Sequence, residues 1–184
     1  MRRHAIILAV AVAALGVHEI VAKYVAKRRY AASRQPVTGA FGFKLGERPP
    51  DFSEVKTNKH GELEISRNDA TNTPPFSDVT ATLTSDGRIY WISSMCIVHE
   101  GDFFTQEQAV WGVLTEKYRL KSQDCRGDKW EYVFGDEKRE VRFEADLKLQ
   151  YMSVIYTDET LATSEWDARR RQEETKARKA ASGL

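Results

Sequence analysis

The chain has 184 residues, 41% hydrophobic and 30% charged, with a formal net charge of +1, which is enough apolar chain for one domain with a real core and no more. The near-neutral total conceals a division: residues 1–34 carry seven Lys or Arg against one acid, whereas residues 35–164 carry 15 against 22. A domain of that acidic balance argues against a nucleic-acid partner, since phosphate binding draws its affinity from clustered Lys and Arg.

The first element is a leader. Arg2 and Arg3 precede an unbroken apolar run from Ala5 to Val17, and Lys23, Lys27, Arg28, Arg29 and Arg34 follow it. Thirteen apolar residues make a helix of about 20 Å, short of a hydrocarbon core of about 30 Å. Ile20 to Ala26 continue the apolar character, with Glu19, Lys23 and Lys27 on one stripe, so a helix over residues 4–30 would span with a wet end. Residues 1–34 therefore read as a signal-anchor helix or a cleaved signal peptide, although Ala9, Ala11 and Ala13 lie too early for a tidy cleavage site. No cysteine precedes Cys96, which excludes a lipid-anchored amino terminus. The larger basic cluster follows the run, and the positive-inside rule would then keep the domain cytoplasmic. The cysteine pair points the other way.

In the domain, taken as residues 35–166, the segment 37–47 (VTGAFGFKLGE) alternates Phe41, Phe43 and Leu45 with Gly42, Lys44 and Gly46, the pattern of a strand. Its glycines match neither a phosphate loop nor a dinucleotide fingerprint. Residues 48–61 read as a loop around Pro49 and Pro50. Leu63 and Ile65 mark a short strand, and a second loop passes through Pro74 and Pro75. Val79, Ala81 and Leu83 alternate with threonines up to Asp86-Gly87, a hairpin turn from which Ile89 to Val98 returns as an apolar strand.

Thr105, with Gln108 three residues on, has capping-box spacing and predicts a helix over 105–120 with Val110, Val113, Leu114 and Tyr118 on one face. Three strands follow, on Trp130/Tyr132/Phe134, on Val141/Phe143/Ala145 and over Leu149 to Tyr156; the last is apolar on both faces and hence central. Asp158 can cap a final helix packing Leu161 and Trp166. Residues 167–184 hold no large apolar residue before Leu184, so they form a solvated, charged helix or frayed tail. The expected fold is α+β: an antiparallel β-sheet of five to seven strands, one packed helix, the hydrophobic leader and a charged carboxyl-terminal helix.

Candidate chemistry is sparse. Cys96 and Cys125 show no CxxC spacing; in an oxidising compartment they read as a disulfide worth about 3–4 kcal/mol, in a reducing one as buried free thiols. Cys96, inside an apolar strand, is a poor nucleophile. His99, Glu100 and Asp102 put three potential ligands in four residues between a strand and a helix, but Phe103 stands where HExxH needs its second histidine, so a plain polar loop is the favoured reading. His60 has no partner in its loop. The aromatic groups Tyr90-Trp91 and Trp130/Tyr132/Phe134 could form a stacking platform, though cross-strand core packing is the commoner use. No catalytic residue, cofactor site or metal site is singled out.

The segments FGFKLGE, TSDGRIYWI and LTEKYRL and the charged tail ending ASGL, taken in that order, resemble small uncharacterised bacterial cell-envelope proteins. That resemblance implies export and assigns no activity. The expectation is a non-catalytic envelope protein, anchored in the inner membrane through residues 4–30, with a periplasmic domain that binds a protein partner. Its alternatives are a secreted inhibitor or small-ligand binder acting through the loop at His99, and a metal-dependent hydrolase using that loop. Cleavage with secretion, and a cytoplasmic domain, are the alternative locations.

Overall fold

Two four-stranded meanders meet at the centre of one antiparallel sheet in the computed structural model, which describes residues 35–68, 75–76 and 78–182. The leader and its proposed span lie outside the described residues. Among the described residues no helix is long and apolar enough to cross a membrane.

In chain order the elements are β1 (Gly39–Ala40), β2 (Phe43–Lys44), β3 (Lys56–Thr57), β4 (Leu63–Asn68), β5 (Asp78–Leu83), β6 (Ile89–Ile97), α1 (Phe103–Lys117), β7 (Leu120–Arg126), β8 (Lys129–Gly135), β9 (Arg139–Asp146), β10 (Tyr151–Asp158) and α2 (Glu159–Ser182). The main sheet has eight strands in the order β3-β4-β5-β6-β10-β9-β8-β7, and β1 pairs only with β2. Each meander runs outward to inward, and their last strands, β6 and β10, pair at the middle. This α+β architecture agrees with the expected class, with more strands than the sequence reading supplied.

Strand alternation sorts the sheet into two faces. One carries Val79, Ala81, Leu83, Ile92, Met152, Val154, Val141, Phe143 and Phe134, all buried, and α1 lies on it through Phe103, Leu114 and Tyr118. Trp130, Tyr132 and Phe134 point the same way. Tyr132 stacks on Phe143 at 5.9 Å, and Trp111 and Phe103 of α1 pack against Tyr132 and Trp130. These three aromatics thus form core, not a platform.

Four expectations need correction. The strand expected over 37–47 is a hairpin: Phe41 and Gly42 both take positive φ, 54° and 79°, and fold β2 back on β1. Alternation cannot reveal such a turn when a phenylalanine occupies its first position. The helix begins at Phe103, not at Thr105, and no side chain caps it; total burial of the Phe103 ring sets the start in place of the capping box. It stops because Tyr118 turns extended to bury its own ring and leads straight into β7, so no glycine is needed.

Strand β7 itself, LKSQDCR, is almost entirely exposed and polar. It is an edge strand held by its backbone pairing with β8, and it has no apolar pattern to read.

The fourth correction concerns Cys96 and Cys125. Both thiols are free. Cys96 lies on β6 and Cys125 on β7, four strand spacings apart in the sheet order. At about 4.8 Å per step that is roughly 19 Å, and a disulfide needs Cα atoms within about 7 Å. Burial pushes the Cys96 thiol up to about 11, while Cys125 is exposed. Thiol titration of the full-length native protein should therefore count two free groups, Cys125 reacting fast and Cys96 slowly, whatever the compartment. A non-reducible count of zero in the monomer would contradict this sheet order.

The β5–β6 hairpin forms as read, with Gly87 at φ 85° in its turn, and adds a bulge. Thr82 pairs with Trp91 but Leu83 with Ile89, so Tyr90 is the extra residue and both Ile89 and Tyr90 are buried. Asp158 caps α2, accepting the Leu161 amide at 3.1 Å. The helix runs without a break to Ser182 and is docked by polar groups. Glu165 accepts from the Ser85 amide at 3.0 Å and from Arg169 at 3.1 Å, and Arg169 also reaches Glu62 at 2.6 Å. From Arg170 onward the helix is exposed, in keeping with a charged tail.

Candidate functional site: an apolar cleft and an open sheet face

The loop of His99, Glu100 and Asp102 is exposed, with a turn of 3-10 helix at Glu100–Asp102 and no side-chain cap from His99. Among the described residues no three His, Cys, Asp or Glu side chains converge into a group that could hold a metal ion. His60 is exposed in its own loop, its amide bonded to Asn58 Oδ1. The sequence-selected residues are not brought together. Two other features stand out.

The first is a cleft of about 440 Å³ between α1 and the β1–β2 hairpin, inside the range of roughly 300–1,000 Å³ usual for ligand sites. Val154 and Tyr156 of β10, Leu114, Tyr118 and Phe76 form its buried floor, and Val113, Lys117 and Gly42 its exposed rim. The hairpin turn shapes one wall. Positive φ at Phe41 costs about 1–2 kcal/mol for an L-residue, and its ring makes edge contacts with Phe76 at 6.3 Å and Tyr156 at 6.2 Å that offset the cost.

The cleft has one polar spot in its wall. The Tyr118 and Tyr156 rings meet edge-on at 6.4 Å, and each phenol perturbs the other. Burial, first among the causes, pushes both phenols above the ordinary tyrosine range, Tyr156 far above it. Both are neutral at physiological pH and serve as hydrogen-bonding groups, not charges.

The second feature is the face of the sheet opposite α1. Trp91, Ser93, Met95 and Ile97 of β6 alternate onto it beside Tyr151, Ser153, Ile155 and Thr157 of β10. Met95 is 58% exposed and Ile97 85%. Charged residues of β9, Glu140, Arg142 and Glu144, border this apolar strip. The Ser153 hydroxyl is buried within it and has no hydrogen-bond partner among the described residues.

Beside the core lies a half-buried acid, Glu107. Tyr132 donates to Glu107 Oε1 at 3.1 Å, yet burial outweighs that bond and raises the Glu107 carboxyl above its usual range. A raised carboxyl favours folding most in acid, where it is protonated, and the advantage is lost as pH rises through the folded-state value. Glu107→Gln keeps an acceptor for Tyr132 without the charge. Its stability relative to the parent should therefore improve steadily from acid to neutral pH, and denaturant titrations across that range would show a flat difference if the acid were fully solvated.

Sequence reasoning missed both surfaces. Phe41, Phe76, Tyr118 and Tyr156 come from four separate parts of the chain, and no local spacing relates them. The open face was partly signalled by Met95 and Ile97 in an otherwise core-like strand. The chain matches no family model, no curated protein and no solved structure.

Proposed function

We propose that this protein is a non-catalytic binding protein of the bacterial cell envelope, tethered to the inner membrane through residues 4–30. Its domain docks an envelope protein partner through the open sheet face. One observation supports the docking surface: Met95 and Ile97 stand exposed on β6, a strand at the middle of the sheet. Exposed large apolar side chains grouped on a rigid central strand and rimmed by charge have the character of an interface.

A photo-crosslinking residue at position 97 tests the reading in native membranes. It is expected to give one discrete adduct with a second protein, and Met95→Lys should abolish that adduct while moving stability by no more than about 0.5 kcal/mol, as surface changes do. Deleting residues 1–30 should release the chain from the membrane fraction. An adduct that survives Met95→Lys but disappears in His99→Ala or Asp102→Ala would move the contact to the loop and favour the inhibitor or hydrolase readings. The alternative of small-ligand binding is favoured by the cleft.

A further inference from the structure

We propose that the cleft between α1 and the β1–β2 hairpin binds a single-chain fatty acid, with the tail over Phe41, Phe76, Val113 and Val154 and the carboxylate at Lys117. Val154, Leu114 and Phe76 are buried at the floor, and the walls offer an alkyl chain ring faces and aliphatic edges with no charge among them. Replacing water on that surface with methylene groups is favourable by about 0.8 kcal/mol for each CH₂ buried.

The polar groups are at one end. Lys117 is the last residue of α1 and stands at the rim of the cleft, and it makes no ion pair with any described residue. Lys56, Lys59, Lys138 and Lys148 are exposed without ion pairs as well, but Lys117 is the cation that lines this cleft. Lys117 is followed directly by Tyr118. The Tyr118 ring, edge-on to Tyr156 at 6.4 Å, lines the same cleft. An ammonium at the rim of an otherwise uncharged apolar cleft complements a carboxylate on an alkyl chain.

Location adds a source. Gly39 in the cleft wall is four residues from Gln35, no more than about 14 Å of chain, and the proposed membrane span ends shortly before. The inference takes from the proposed function only this tether and does not involve the partner face. Because the cleft would stand near the bilayer, a lipid-derived single chain is the amphipathic anion within reach.

The test uses the full chain in native membranes with dodecanoic acid carrying a diazirine in its tail. After irradiation and digestion, label is expected on peptides holding residues 37–44 and 103–118. Lys117→Glu should reduce that label about tenfold, the usual weight of a charge-assisted hydrogen bond, and Lys117→Arg should retain it. Val113→Trp, which fills the rim, should remove it independently of charge. Thermal unfolding matched to the parent shows that each variant is folded. Equal labelling by the tail-matched dodecanol would overturn the proposal, because nothing would then read the carboxylate. Label confined to residues 1–34 or spread over the surface would also overturn it. Fractionation of the same sample reports the tether separately, so label in the cleft of a chain found soluble would sink the tether and leave the fatty-acid site standing.

Discussion

Phe103→Ala is expected to destabilise the domain by about 3–5 kcal/mol, the cost of emptying a large aromatic site in a packed core. Phe103 is completely buried, touches Trp130 at 6.1 Å and Phe104 at 5.9 Å, and is the first residue of α1. Its ring fixes one end of the helix on β8, while Leu114 and Tyr118 fix the other. A loss of this size is a large part of the 5–15 kcal/mol that holds a typical domain together, and should lower Tm by about 6–20 °C. Phe104→Ala, one residue on and 55% exposed, is the control and should cost much less. Urea denaturation of the two variants measures the difference directly. Similar values would mean that α1 is not seated through Phe103.

Asp158→Ala should be the second most damaging change, at about 2–4 kcal/mol. This carboxylate does two jobs. Oδ1 caps α2 through the Leu161 amide, a contribution of about 1 kcal/mol, and Oδ2 accepts from Arg139 Nε at 2.9 Å. Arg139 also donates to the carbonyls of Leu45 at 3.1 Å and Val37 at 3.4 Å, so one guanidinium ties β9, β10 and the amino-terminal hairpin together. Removing the carboxylate strands a partly buried charge, which costs more than the pair contributes when intact. Arg139 is 31% exposed, and solvent moderates that penalty to below the value for a fully buried pair.

The double variant Asp158→Ala with Arg139→Ala should be less damaging than the sum of those two single changes, by about 1–2 kcal/mol, as coupled neighbours are. Arg139→Lys should rescue little, because an ammonium cannot reach Asp158 and two carbonyls at once. Additive losses in the denaturant cycle would show that the two groups act separately.

Both sites show what a pattern can and cannot carry. Asp158 was legible as a helix cap, because a carboxylate three residues ahead of a free amide is a local arrangement. Its partner Arg139 lies 19 residues away, and only the pairing of β9 with β10 brings them together. Phe103 was legible as apolar but not as the start of the helix, since the capping signal at Thr105 and Gln108 competes with it locally and loses to burial in the fold.

Local patterns suffice for the α+β class, the β5–β6 hairpin with its Asp86-Gly87 turn, the three later core strands, the central place of β10 and the capped, charged final helix. Each depends on short-range periodicity, turn chemistry or burial on both faces, which act over a few residues. Tertiary structure decided the rest. Backbone pairing with β8 makes the polar segment Leu120–Arg126 a strand, and ring contacts with Phe76 and Tyr156 hold Phe41 in a left-handed turn. Sheet order separates Cys96 from Cys125, and the meeting of four distant segments opens the cleft. These outcomes depend on long-range packing energies that no local window contains, because each residue's preference is settled by partners tens of positions away.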